Sequence, residues 1–361
     1  MSEKLSVIAF SKDRPMQLHA YIESLLRFSD LKEHELAVIY VDSEKIPYDK
    51  VMKSFPAVRW IREKNFYDDL MRALDDCDDC FMFGCDDVVF TKNFSVNDAK
   101  NFLRANDDIF GFSFRLGRNI KLPENYDVRE NVLVWDWRDA DTVHYNYPWE
   151  LDCTLYRKDD ARNIILLGKR RIFAPNPLEG IVTMNPEGYI TRPNLSCYDT
   201  DSKAIVITVN RVQDIVKNSF DARNSITDPE YLGRLYNSED VRLDIEAIAK
   251  LKNSQVHVGL EYMILTNGFR GKPRSIWSKI FSRRFTYYAA KTIYRALRYR
   301  LKVFLGYLQW RFVDKSKFPV ILSTQESLEY LKKNLMSFCR IGDGELICAR
   351  GGGYTFSESR T

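Results

Sequence analysis

The feature that most constrains the fold is an alternation of apolar runs and amphipathic stretches over the first 90 residues. Leu5-Ser6-Val7-Ile8-Ala9-Phe10 is a short apolar run that stops at Ser11-Lys12-Asp13-Arg14-Pro15, after which apolar residues recur at Leu18, Tyr21, Ile22, Leu25 and Leu26. That spacing predicts strand, polar loop and helix. Leu36 to Val41 reads as a second strand ending at Asp42, Val58 to Ile61 as a third, and Phe66 to Leu74 as a helix with Asp68 and Asp69 in its first turn. Cys80 to Gly84 is a fourth strand that runs into Cys85-Asp86-Asp87 and continues apolar through Val88-Val89-Phe90. Strands alternating with helices imply an α/β sheet that is mainly parallel. Ligands of such sheets bind beyond the carboxyl ends of the strands, where the 11–14 loop, Asp42 and the Asp86-Asp87 pair would gather.

Between residues 91 and 270 the pattern is less regular, with strand-like runs from Ile109 to Phe114 and from Ala204 to Val209, and an aromatic, acidic loop from Trp135 to Asp152. Gly268, Gly271 and Pro273 break it. The overall charge of +4 hides a strong asymmetry: Lys272 to Phe312 holds eleven Lys or Arg, eleven aromatics and no acid, leaving about −7 for everything else. Three domains are expected: an α/β domain over 1–270, a basic amphipathic helical segment over 271–314, and the opening of a further domain over 315–361. The basic segment suits an anionic membrane surface. A single-strand nucleic-acid groove and a solvated connector between domains are its other two readings, and the acidity of the remainder argues against nucleic acid.

With 361 residues, 45% of them hydrophobic, a disordered chain or a small disulfide-stapled scaffold is excluded. The odd count of seven Cys and the lack of an apolar N-terminal run predict a reduced, cytoplasmic setting, with a peripheral place at the inner face of the plasma membrane through the basic segment. Cys77 and Cys80 form a C-x-x-C without a second pair at zinc-site spacing. Two adjacent carboxylates at a strand end, Asp86 and Asp87, repel each other. A divalent cation, Mg²⁺ or Mn²⁺, together with diphosphate oxygens is one reason to place them there, and an ordinary polar turn is the other.

The order of strand, Lys12-Asp13-Arg14 loop, helix, strand ending in Asp42, and apolar strand into Asp86-Asp87 resembles the GT-A glycosyltransferases, most closely those of family 2, over roughly residues 3 to 265. The resemblance implies a Rossmann-like GT-A fold and a nucleotide-diphosphate sugar donor. It implies that Ser11, Lys12, Asp13, Arg14 and Asp42 hold the nucleoside, and that Asp86 and Asp87 meet the metal and diphosphate, with Cys85 standing where many members have a further acid. It implies a late His as a third metal ligand, for which His257 is the candidate, a packed core histidine being the alternative. An acid beyond the metal motif would take the proton of the acceptor hydroxyl, and Glu179 and Asp152 are the candidates. Arg211 follows a strand and faces either the donor diphosphate or solvent. Trp135, Trp137, Tyr145, Tyr147 and Trp149 are candidates for stacking on a sugar face, or are core.

The acceptor would be a glycan, a lipid-linked sugar or a protein, in surface polysaccharide or glycan assembly, with inversion at the anomeric carbon. Near the end of the chain, Arg340-Ile341-Gly342-Asp343-Gly344-Glu345-Leu346 resembles the opening motif of GT-D glycosyltransferases, in which Asp343 and Glu345 match the metal-binding Asp-x-Glu. A nucleotidyltransferase would use a similar sheet, but the 11–15 loop has no Gly; the absence of G-x-G-x-x-G likewise disfavours a dinucleotide site. A non-catalytic module that recruits a membrane or a partner protein is the remaining alternative.

Overall fold

A computed structural model of the chain describes residues 4–183, 185–209, 228–270, 340–342 and 345–347. Arg211, the basic stretch 272–312 and Asp343 lie outside the described residues. The chain divides into two units, Met1–Pro273 and Arg274–Thr361. Within the second, the strands Arg340–Gly342 and Glu345–Ile347 pair as an antiparallel hairpin.

The first unit is built on a nine-stranded mixed sheet flanked by helices, with strand order β3-β2-β1-β4-β9-β6-β10-β8-β7. In its first half, β1 (Leu5–Lys12), α1 (Pro15–Phe28), β2 (Leu36–Val41), α2 (Asp49–Ser54), β3 (Arg59–Arg62), α3 (Phe66–Asp75) and β4 (Cys77–Cys85) follow in order. All pairings among these four strands are parallel. Residues Leu5 to Ser11 of β1 are buried on both faces, which is why that strand reads as a continuous apolar run. Pro15 opens α1 at a position where a missing N–H costs nothing. The Asn65 side chain caps α3 by accepting the Asp68 N–H at 3.1 Å. At Gly84 a side chain is sterically barred: an added Cβ would stand 2.0 Å from the Tyr21 hydroxyl of α1. That close approach of α1 to β4 fixes where the strand ends and the acidic turn begins.

The second half is antiparallel where it joins the first. It comprises α4 (Val96–Ala105), β6 (Ile109–Ser113), β7 (Asp127–Arg129), β8 (Val132–Asp136), β9 (Thr154–Arg157), α5 (Lys158–Gly168), α6 (Pro175–Thr183) and β10 (Asn194–Tyr198). Strand β9 runs antiparallel to both β4 and β6, so β6 points the same way as β4. The apolar continuation Val88-Val89-Phe90 does not extend β4. As β5 (Val88–Phe90) it joins a separate three-stranded sheet with β11 (Ala204–Ile207) and β12 (His257–Val258). Helices α7 (Pro229–Glu239) and α8 (Ile245–Ala249) complete the unit. Among the described residues, no helix is long and apolar enough to cross a membrane.

The Cys77 and Cys80 thiols are free and buried in β4, and burial raises them to about 12 and about 11. Four of the five aromatics in the Trp135–Trp149 loop are core. The Trp135, Trp137 and Trp149 indoles donate to the carbonyls of Tyr145, Arg192 and Leu178 at 2.8, 3.0 and 3.0 Å, and the Tyr145 hydroxyl donates to that of Gly117 at 3.0 Å. Only Tyr147 of the five is partly exposed.

Candidate active site

Two sets of side chains meet at the carboxyl end of β4. The first comes from the loops after β1 and β4. Asp86 continues the β4 ladder, its N–H donating to the Phe10 carbonyl at 3.2 Å, and its carboxylate is buried at 1% exposure. That carboxylate accepts from the Ser11 hydroxyl at 2.8 Å and the Lys12 N–H at 3.3 Å, and pairs with the Arg14 guanidinium at 2.9 Å. Arg14 also reaches Asp87 at 3.4 Å. Burial disfavours the Arg14 charge, but Asp86 and Asp87 outweigh it and raise its pKa. Burial pushes Asp86 up to about 7, with Asp87 adding to the shift and Arg14 opposing it.

The remaining residues of this loop brace it. Asp13 takes up the left-handed backbone at φ 51° and accepts the Ser43 N–H at 2.8 Å, tying the ends of β1 and β2 together. The Lys12 side chain is exposed, and Asp42 is engaged by Arg62 at 2.9 Å. Tyr48, buried, shares a 2.7 Å hydrogen bond with Ser11 and accepts the Arg14 N–H at 3.0 Å.

The second set arrives because β9 is antiparallel to β4: its amino end lies beside the carboxyl end of its neighbour. Cys153 stands at φ 74°, a costly conformation for a non-glycine residue, and is held by its N–H to the Phe83 carbonyl at 3.1 Å and by its carbonyl to the Phe114 N–H at 3.2 Å. This turn sets Asp152 against Asp87 and Cys85. Donor atoms of Cys85, Asp87 and Asp152 all lie within 4.8 Å of one another, a separation that one cation can span. Asp86 and His257 are not in that group.

Arg115, two residues past β6, is buried beside Glu150 at 3.4 Å, and Glu150 also accepts the Asp152 N–H. Glu179, on α6, faces the same group. Burial and then the Glu150 charge push its carboxyl up to about 7, against the pull of Arg115 and a hydrogen bond from Tyr147. Burial, Asp87, Glu150 and Glu179 hold Asp152 well above the usual carboxylate range. Burial, then the charges of Asp152, Asp87, Asp86 and Glu179, raise the Cys85 thiol.

His257 accompanies β12, with its Nδ1 3.4 Å from the Thr208 hydroxyl and its ring 5.5 Å from that of His144. Desolvation, then the positive charges of Arg115 and His144, lower it to about 4, with Asp87 pulling the other way. The residue is exposed, so the packed core histidine weighed as its alternative is not what the fold makes of it.

Five carboxylates (Asp86, Asp87, Glu150, Asp152 and Glu179) thus share this region with two guanidiniums, Arg14 and Arg115. Crowding of this kind raises pKa values unless a cation is bound, and two carboxylates with a sulfur are a chemically reasonable donor set for a divalent ion. Sequence reasoning missed Arg115, Glu150 and Tyr48. The signal available for Arg115 was its position one residue past an apolar strand, where this class of sheet collects functional groups. Glu150 stands two residues before Asp152 and carried no signal of its own.

No protein-family model matches the chain. It is 29% identical over 298 residues to the bifunctional glycosyltransferase pgtA of Dictyostelium discoideum, an alignment that covers 71% of this chain and 38% of the relative. The chain therefore spans well under half the length of that curated relative. The relative is a glycosyltransferase, as the resemblance drawn from the sequence implies. Solved structures give distant likenesses. The S. aureus protein TarS (residues 1–349) in complex with UDP is 17% identical, with a TM-score of 0.37 over 56% of this chain and 60% of that one. The mannosyltransferase PcManGT of Pyrobaculum calidifontis, with GDP-Man and Mn²⁺, is 9% identical with a TM-score of 0.27, over 44% of this chain and 46% of that one.

Proposed function

We propose that the first unit is a divalent-cation-dependent glycosyltransferase that moves a sugar from a nucleotide-diphosphate donor to a hydroxyl acceptor with inversion. The observation that carries this reading is the junction of Cys85, Asp87 and Asp152 at the end of β4, within an excess of carboxylates. A diphosphate could not approach so negative a site unless a cation neutralised it. Asp87 and Asp152 are the oxygen donors in this reading, with the Cys85 sulfur as a third ligand atom. An ion held there would supply Lewis-acid neutralisation of the leaving diphosphate. A sulfur donor favours Mn²⁺ over the harder Mg²⁺.

Asp86 has a different role from Asp87 in this proposal. Buried and bonded to Ser11, the Lys12 N–H and Arg14, it shapes the nucleoside-side loop and aims the guanidinium at the diphosphate. Glu179 is the base: a carboxyl near 7 is matched to proton abstraction at neutral pH. It takes the acceptor hydroxyl proton as that oxygen bonds to the anomeric carbon, and the bond from that carbon to the diphosphate breaks, releasing nucleoside diphosphate. Asp152 is held for the cation instead. The name of the Dictyostelium relative supports the reaction class.

The test is nucleoside diphosphate release from a panel of nucleotide sugars with glycan acceptors, with and without Mn²⁺. Release from one donor that requires the cation and is lost in Glu179→Gln is the expected result. Release unaffected by chelator, or none from any donor by a folded protein, would contradict the reading.

A further inference from the structure

A second surface of the unit has the composition of a membrane-docking turn. From Ala161 to Leu178 the sequence has no acid and four Lys or Arg. One of these cations, Arg162, is paired with Asp75. The other three, Lys169, Arg170 and Arg171, are consecutive in a 3-10 turn between α5 and α6, exposed, and in no ion pair among the described residues; the Lys169 ammonium lies 5.0 Å from the centre of the Tyr67 ring. Beside them stand Leu166, Leu167 and Phe173, exposed at 48, 68 and 65%.

The turn itself is anchored. Ile172 and Ile181 are buried, and the backbone at Gly168 is packed so closely on Ile181 that an added Cβ would lie 2.5 Å from its Cδ1. Large apolar groups on a well-packed turn, two of them about two-thirds exposed, project outward. With three cations between them they match the lipid boundary, where apolar side chains enter the acyl region and Lys or Arg stay with anionic headgroups.

We propose that the turn from Leu166 to Phe173 docks the unit on an anionic lipid bilayer, with Leu167 and Phe173 inserted. These residues lie outside the stretch 272–312 in the sequence, and the proposal does not depend on transfer activity. The turn leads straight into α6, the helix that carries Glu179.

The test is co-sedimentation of the full chain with phosphatidylcholine vesicles with and without phosphatidylglycerol, at about 0.1 M salt. Binding is expected only with the anionic lipid. Lys169→Gln/Arg170→Gln/Arg171→Gln should weaken it by about fivefold per cation removed, and Leu167→Glu/Phe173→Glu should weaken it at least as much, each with an unchanged thermal melt. Undiminished binding by both variants would overturn the proposal, most plainly if Arg283→Gln/Arg284→Gln abolished binding instead. So would binding of polyglutamate but not of vesicles, or a dimer in sedimentation velocity that Phe173→Glu dissociates with vesicle binding unchanged.

Discussion

The two halves of the large sheet reach the same edge by opposite routes. In the β3-β2-β1-β4 half every pairing is parallel, and the carboxyl ends of β1 and β4 with the loops after them deliver Ser11, Arg14, Asp86 and Asp87 by strand direction alone. In the other half β9 is antiparallel, and it delivers Asp152 from the residues before the strand, while β6 and α6 bring Arg115 and Glu179. Each half holds a buried Arg–carboxylate pair, Arg14–Asp86 at 2.9 Å and Arg115–Glu150 at 3.4 Å. The closer pair is hydrogen-bonded further by Ser11 and the Lys12 N–H, and in the looser one the Glu150 carboxylate also accepts the Asp152 N–H.

The largest expected effect tests whether the halves form one site. Asp87→Asn and Asp152→Asn should each lower turnover by about 10² to 10³, and the double variant should be little worse than either, because residues acting as a unit are not additive. Multiplying effects would separate the halves.

Next is stability. Removing Arg14 as Arg14→Met takes the counter-ion from buried Asp86, whose carboxyl then holds its proton, and should cost about 1 to 3 kcal/mol in denaturant unfolding. Arg115→Met should cost less, since its pair is already the weaker, and the reverse order would invert the comparison.

How much was legible follows from the same contrast. The runs Leu5–Phe10 and Leu36–Val41 matched β1 and β2 closely because strands buried on both faces have a strong apolar signature. The gathering of the 11–14 loop with Asp86-Asp87 followed from the parallel rule. What could not be read was the antiparallel insertion of β9, which depends on long-range pairing and decides that Asp152 meets Asp87. The split between Asp86 and Asp87 was also hidden: adjacent residues look alike in sequence, and only the backbone sends one toward Ser11 and the other toward Asp152. The aromatic loop misled for a related reason, because an indole packs equally well in a core or on a ligand, and here three of them satisfy their N–H inside.

Smaller effects probe the junction itself. Gly84→Ala should lower stability by about 1 to 3 kcal/mol through its clash with Tyr21. Tyr21→Phe should be nearly neutral alone, because its buried hydroxyl has no hydrogen-bond partner among the described residues, and should recover part of the loss in the double variant. Failure to recover would place the strain elsewhere.

The last effect is pH-dependent. Glu179 sits at about 7 in the folded chain and near its ordinary 4.5 when unfolded. Between those values the unfolded state has released a proton that the folded state keeps, so stability falls as pH rises from about 4.5 to 7. Melting temperatures of cation-free Glu179→Gln across that window should show a shallower slope than the parent chain; equal slopes would assign the titration to another group.

The most direct test of the central claim is calorimetric titration of Mn²⁺ and of nucleoside diphosphates into the parent chain, Asp87→Asn, Asp152→Asn and Asp86→Asn. If the halves meet in one cation site, Mn²⁺ binding and its enhancement of diphosphate affinity disappear alike in Asp87→Asn and Asp152→Asn, while Asp86→Asn still binds Mn²⁺. Mn²⁺ binding that survives in Asp152→Asn but is lost in Asp86→Asn would contradict the account, placing the ion wholly in the first half.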